Sequence, residues 1–360
     1  MAAEPSTSTA PRLAYLDGLR GAALLLMLIN HTARWWVDGP MSWSRYALIY
    51  VTLTLAAPTF LFLVGFCLPL ALRGLEGGGL AGLARRFVPR GARIVAAGLL
   101  LNLVVFRDEP VWAGGVLQTI GLAIIAMVPA LWLLRWPAAR APLLLLAAAG
   151  YVGFVLAFPA LTQFVATHRL AGLVLFYDFP PWPWLSLVLV GLVLGWTWLE
   201  AQRASPEAGR RVMVTLAVIG TVLVATFFVH DWWAGTPMRF GMRRDLILNR
   251  HWTPRPAALG WVLGMVLLML AASWWAMERR RLRLAWLVLL GQTALFLYFA
   301  HQVLAYTLVR EWLGWRFGGW PRFWAANALF AVLVLGLGWA WRRTRGWTAR
   351  RWRPASAQSG

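Results

Sequence analysis

Long apolar runs, interrupted at short intervals by arginine, proline and tryptophan, fill most of the chain. Ten of them are long enough to read as membrane-spanning helices: 14–36, 47–72, 89–106, 112–134, 141–163, 182–200, 212–230, 258–277, 284–308 and 323–341. About 18 to 20 apolar residues suffice to cross a hydrocarbon core. The pattern therefore predicts an all-α polytopic membrane protein of about ten transmembrane helices. The second run carries Pro58, Gly65 and Pro69, where a helix either kinks or packs closely. No internal repeat is visible, so the inverted-repeat transporter architecture gains no support.

Composition agrees with the pattern. Of 360 residues, 60% are hydrophobic and 13% charged, against roughly a quarter charged in soluble domains. The excess of 34 basic over 13 acidic residues, a net +21, is made entirely of arginine. Most of these arginines lie between apolar runs, so they report membrane topology and not a nucleic-acid partner. With the N-terminus in the cytoplasm, the inward connections and the tail hold 22 arginines and the outward connections 12. That asymmetry predicts both termini cytoplasmic.

The segment 231–257 is the exception, with five arginines on the outward side. Its length and apolar content predict a folded outward cap. Tryptophans at run ends read as interfacial anchors. The only cysteine, Cys67, reads as a small buried hydrophobe, so no disulfide forms within the chain. Residues 1–11 are polar and read as a disordered cytoplasmic segment without the apolar core of a signal peptide. Residues 12–342 then form the transmembrane domain and 343–360 a basic cytoplasmic tail.

The chemistry lies inside the apolar runs. The first contains "LDGLRGAALLLMLINH", residues 16–31. Eleven helical residues turn close to three full turns and rise about 16 Å, so Arg20 and His31 share a face a leaflet apart. Asp17 stands at ion-pair spacing from Arg20, and Asn30 lies beside His31. Polar groups at such depth are costly and mark function or helix contacts. In the third run, Arg86, Arg90 and Arg93 share one helical face and form, with Arg85, a basic mouth suited to phosphate groups. Asn102 and Gln118 sit within apolar runs as helix-bridging or polar-site candidates. The ninth run carries Gln292, Tyr298, His301 and Gln302, and the two histidines are predicted at similar depth. Histidine serves as a general base near neutral pH. The five histidines show no metal-ligand spacing, and no phosphate-loop or zinc-protease motif is present.

Arg20, ten intervening residues and His31, opened by "LDGLRG", resemble the first-helix motif of the transmembrane acyltransferase superfamily, which includes bacterial sugar O-acetyltransferases. "APTFLFLVGFCLPLAL", "GGVLQTIG", "YDFPPWPWLSLVLVGLVLG" and "GQTALFLYFAHQ" are similar, in order, to stretches of the heparan-α-glucosaminide N-acetyltransferase catalytic domain and its bacterial relatives. At His31 the chain follows the O-acetyltransferases. The lysosomal enzyme has asparagine there and a histidine in the next outward loop, where this chain reads "VDGPMSW".

The resemblance implies a multi-pass protein of the bacterial inner membrane. It implies acyl transfer from cytoplasmic acyl-CoA, acetyl-CoA in the simplest case, to a hydroxyl or amine of an outward sugar or glycolipid, with no metal. Arg20 would help bind the donor, His31 would be the catalytic position, and Asp178 and His301 would line the site. With the residues read above, the donor set becomes Arg20, Asp17, Arg86, Arg90, Arg93 and Gln118. The catalytic set becomes His31, Asn30 and His301, with Asn30, Gln118 or His301 stabilising the oxyanion. Acceptor contacts fall to Asp178, Arg243, Arg244 and His251, the last three of which serve equally to fold the cap. A transporter or flippase for an anionic or lipid-linked molecule would use the same basic mouth and polar shaft.

Overall fold

The computed structural model describes residues 13–39, 42–72, 79–233 and 256–351. Among them every predicted run is occupied by a helix, and no strand forms. The helices are α1 (Ala14–Trp35), α2 (Trp43–Cys67), α3 (Leu80–Val104), α4 (Val116–Leu133), α5 (Arg140–Thr167), α6 (Arg169–Leu175), α7 (Pro181–Ala204), α8 (Pro206–Trp233), α9 (Pro256–Trp274), α10 (Ala285–Gln292), α11 (Ala294–Gln302) and α12 (Trp320–Arg351). Eight helices among the described residues are long and apolar enough to cross a membrane. A bent pair, α10 with α11 and its continuation, makes nine. The 22-residue α1 is long enough to span but carries Asp17, Arg20 and Arg34. Side-chain placement in the 231–257 cap, in segment 1–11 and in the end of the tail lies outside the described residues.

The predicted ninth span is not one straight helix. It breaks at Thr293, where φ is −107° and ψ 10°, and the halves diverge by 79°. The cause is local. Gly291 and Thr293 are weak helix formers, and the glycine is needed for contact with α1. A Cβ on Gly291 would lie 1.8 Å from the Asp17 carbonyl oxygen, and one on Gly21 would lie 2.0 Å from that of Leu287. Beyond Gln302 the chain continues as a π-helical segment, Val303–Trp312.

Without a hydrophobic drive between helices in lipid, small residues that admit backbone contact set the packing. Gly65 of α2 abuts the Val188 carbonyl oxygen of α7, Gly91 faces Gly121 between α3 and α4, and Gly220 faces Gly264 between α8 and α9. The Gly65 reading from the sequence thus resolves as close packing. Leu61, Phe62, Phe66, Leu192 and Val193 fill the α2–α7 seam and are almost fully buried. Leu145 and Leu156 on α5 and Leu329 and Val332 on α12 are exposed, as lipid-facing positions should be.

The far end of α1 is tied down by polar contacts. Arg45 donates to the carbonyls of Ala33, Arg34 and Gly39, a cation placed where helix carbonyls lack partners. Trp36 Nε1 donates to Ala305 in the π-helical segment at 2.9 Å. The Phe317 backbone N–H donates to Trp36 at 2.7 Å, and Arg316 donates to Trp35. These contacts hold the last two turns of α1, and with them His31, against the second half of the broken helix.

Candidate active site

Polar groups on α1 gather at two levels. At its first turns, Arg20 Nη1 pairs with Asp17 Oδ1 at 2.7 Å. Asp17 is buried and accepts a second hydrogen bond from Gln292 Nε2 at 3.2 Å. The break after Gln292 therefore presents its amide to α1. Arg20 Nη2 also reaches Cys67 Sγ at 3.7 Å. Cys67 is partly exposed, so the expectation of a buried hydrophobe gives way to a thiol held at the Arg20 cluster. Arg86, Arg90 and Arg93 lie exposed on one side of α3, which runs through Pro89 without interruption. The Arg90 charge acts on Arg20, Arg86 and Arg93 together. Arg20, Arg86 and Arg93 thus lie within electrostatic reach of Arg90, and among the described residues only Arg20 of the four pairs with an acid, Asp17, an arrangement that can hold an anion.

At the second level, His31 Nδ1 and His301 Nε2 are 2.9 Å apart. Their planes are 7° from parallel and their centroids 5.1 Å apart. A face-to-face stack keeps atoms at least roughly 3.5 Å apart, so the rings meet edge to edge in an in-plane hydrogen bond. The network assigns the protons. His301 Nδ1 lies 2.8 Å from the Leu297 carbonyl oxygen, which can only accept, so Nδ1 carries the hydrogen. In neutral His301, Nε2 then bears the lone pair and accepts from His31 Nδ1–H. The lone pair of His31 falls on Nε2. Trp35, one turn on, lies over the His31 ring at 4.7 Å and 24°. Tyr298 stands edge-on to His301 at 5.7 Å. His301 is fully buried, whereas His31 is half-buried. Of the two rings, only that of His31 is partly accessible.

Asp178 lies in the loop before α7. Its backbone N–H donates to Gly114 at 3.0 Å, and Thr119 Oγ1 donates to Phe179 beside it. The Asp178 charge acts on Arg34 and Tyr298. In the loop after α3, burial holds the Glu109 carboxyl above its usual range, and the Tyr177 hydroxyl donates to it. Burial and that same bond push the Tyr177 hydroxyl up. Neither Arg34, Trp35, Tyr177 nor Glu109 stood out in the sequence, because each sits in a run end or loop where such residues are ordinary.

Two predicted site residues are turned elsewhere. Asn30 Nδ2 donates to Ile49 at 2.8 Å and to Thr52 at 3.1 Å, both on α2. One residue of helix rotates it about 100° from His31. Asn30→Ala should lower stability by about 1–2 kcal/mol, the range for intramembrane hydrogen bonds. Thermal unfolding in nanodiscs would measure it, with turnover of the folded fraction staying within a few-fold. Gln118 Nε2 donates to Ala113 at 3.1 Å, and Asn102 Nδ2 donates to Val111 and to Ala113. These two amides hold carbonyls of the loop between α3 and α4, so Asn102 ties down a loop and does not bridge two helices. Arg243, Arg244 and His251 lie outside the described residues.

A family model described as "Heparan-alpha-glucosaminide N-acetyltransferase, catalytic" matches residues 12–232. Comparison with individual curated proteins finds no match. The matched stretch takes in both levels of α1, the arginines of α3 and Asp178, and it ends before His301. Over more than half of its length, from the Arg20 level to the Asp178 loop, the chain carries the pattern of a membrane acetyltransferase, and it belongs to the heparan-alpha-glucosaminide N-acetyltransferase catalytic-domain family.

Proposed function

We propose that the protein transfers an acetyl group from acetyl-CoA, bound at the Arg20 end in the cytoplasm, to a hydroxyl or amine of an acceptor that arrives from the opposite side. The acceptor proposed is a sugar or glycolipid. The hydrogen-bonded His31–His301 pair, about three helical turns from Arg20 and the arginines within electrostatic reach of Arg90, carries this reading. The rise from Arg20 to His31, about 16 Å, separates a phosphate-binding mouth from a proton-accepting nitrogen. Only a donor with an anionic head and a long arm needs both.

In the reaction proposed, the acceptor O–H or N–H attacks the thioester carbonyl carbon. The new bond to carbon forms as its proton passes to His31 Nε2. The resulting imidazolium keeps its Nδ1–H on His301, which stays neutral. When the tetrahedral species collapses, the carbon–sulfur bond breaks and the leaving sulfur takes the proton back from His31. Arg20, held by Asp17, and Arg86, Arg90 and Arg93 hold the donor's phosphates. Asp178, anchored to Gly114, faces the acceptor. The setting proposed is a bacterial inner membrane with both termini cytoplasmic.

The test is acetyl-CoA-dependent acetylation by the purified chain in nanodiscs. Arg90→Ala should raise KM for acetyl-CoA about 10- to 100-fold, as expected for losing a charge-assisted contact of about 1.5–3 kcal/mol, with kcat nearly unchanged. An unaltered KM would remove the arginine cluster from the donor site. Flux of an anionic solute through proteoliposomes lacking acetyl-CoA would point instead to a carrier.

A further inference from the structure

Trp35 and Trp36 close α1, where the sequence reads tryptophan as an interfacial anchor. The structure gives the two residues different roles. Trp36 is 2% exposed, donates to Ala305 and sets its ring against Phe317 and Phe330. Trp35 is only half-buried, and its indole lies on His31, with ring centroids 4.7 Å apart and planes 24° from parallel. Residues four apart on a helix are neighbours on one face, and their side chains lean toward its N-terminus. Position 35 is therefore where α1 itself can cover residue 31.

The indole is held in place from behind. Tyr306 of the π-helical segment meets Trp35 at 5.1 Å and 65°. Tyr306 packs in turn against Phe106, just after α3, at 5.4 Å, and carries the Arg310 guanidinium over its ring at 5.2 Å. The Trp35 carbonyl accepts a hydrogen bond from Arg316. A row of rings thus runs from His31 through Trp35 and Tyr306 to Phe106. His301 meets the His31 ring at its edge, and Trp35 covers one of its faces.

In the reaction proposed above, His31 becomes an imidazolium. Where a carboxylate orients a histidine base, that negative group also stabilises the imidazolium. Here the His31 Nδ1–H meets a neutral histidine, which orients the ring without supplying charge. Arg34 follows three residues on, on the same side of α1 and about 4.5 Å along it. Its positive charge, countered by Asp178, opposes a second cation. The face of an indole is negative and attracts a cation within about 6 Å of the ring. We infer that Trp35 is a positioning residue, which holds the His31 ring against His301 and stabilises its imidazolium by a cation–π contact. The contact strengthens only when the proton arrives, so it lowers the barrier and leaves donor binding unchanged. The inference rests on the acetyl-transfer reading above and adds the group that meets the charge His301 does not neutralise.

The test places mono-, di- and tetrafluorinated tryptophan at position 35 alone, by nonsense suppression, in the full chain in nanodiscs. Fluorine drains charge from the ring face at nearly constant shape. Acetyl-CoA is the donor and methyl α-glucosaminide the acceptor probe. The logarithm of kcat should fall in step with the number of fluorines, reaching a loss of about 5- to 30-fold for the tetrafluorinated ring. Tm and the KM for acetyl-CoA should stay at wild-type values. Trp35→Leu should lose as much kcat, and Trp35→Phe, which keeps an aromatic face, should lose less. If Trp35→Leu does not fold, the fluorinated series decides alone. An active wild type whose kcat is indifferent to fluorination, or a loss carried by the KM for acetyl-CoA, would overturn this inference and leave the acetyl-transfer reading standing. A wild type that transfers no acetyl group, to the probe or to water, would overturn that reading and this inference with it.

Discussion

His31→Ala should lower acetyl transfer at least about 100-fold, the lower end of what a positioned general base contributes, while the protein stays folded with a modestly lowered Tm. The ring is half-buried and its Nδ1–H satisfies a histidine that is itself anchored to Leu297. Removing it leaves the buried His301 Nε2 without its donor, at a cost of about 1–3 kcal/mol, and leaves the close backbone contacts of α1 at Gly21 and Gly291 intact. His301→Ala should cost less, because it removes only the group that fixes which His31 nitrogen bears the lone pair. Single-turnover acetylation with preloaded acetyl-CoA separates this chemical loss from a binding defect. Wild-type turnover in a folded His31→Ala protein would end the assignment of His31 as base.

Gly291→Ala should have the largest effect on folding. The added carbon would fall 1.8 Å from a backbone oxygen of α1, which no rotamer can relieve, so α1 and α10 must separate. Overpacking typically costs about 1–3 kcal/mol and occasionally more, and a backbone collision belongs at or above the top of that range. The shift would also pull Gln292 from Asp17 and loosen the Arg20 cluster, so donor binding should fall with stability. Gly336→Ala in α12 is the control of opposite sign. A Cβ there meets nothing within 4 Å, and alanine should stabilise the helix by up to about 1 kcal/mol. Thermal unfolding of both variants in nanodiscs compares them directly. Equal Tm values would show that the α1–α10 crossing is not held as closely as described.

The helical content and placement of the runs were legible because a chain in lipid must satisfy its backbone within each span, which leaves long apolar runs in plain view. The Arg20–His31 step was legible for a related reason: one straight helix relates its own residues by simple rotation. The sequence also placed His31 and His301 at similar depth. It could not say which nitrogens meet, since that depends on the Leu297 carbonyl.

What it misjudged has a common origin. Asn30 is next to His31 in the chain, yet one residue of rotation gives it to α2. The span 284–308 reads as one helix by hydropathy, yet Gly291 and Thr293 break it where α1 crosses. By itself, then, the sequence determined a bundle of membrane helices with a basic mouth and histidines at depth, because hydropathy, charge and single-helix periodicity are local properties. The tertiary structure alone decided the tautomers of the histidine pair and the broken helix. Each of these depends on how closely one backbone can approach another, and so on contacts between residues far apart in the chain.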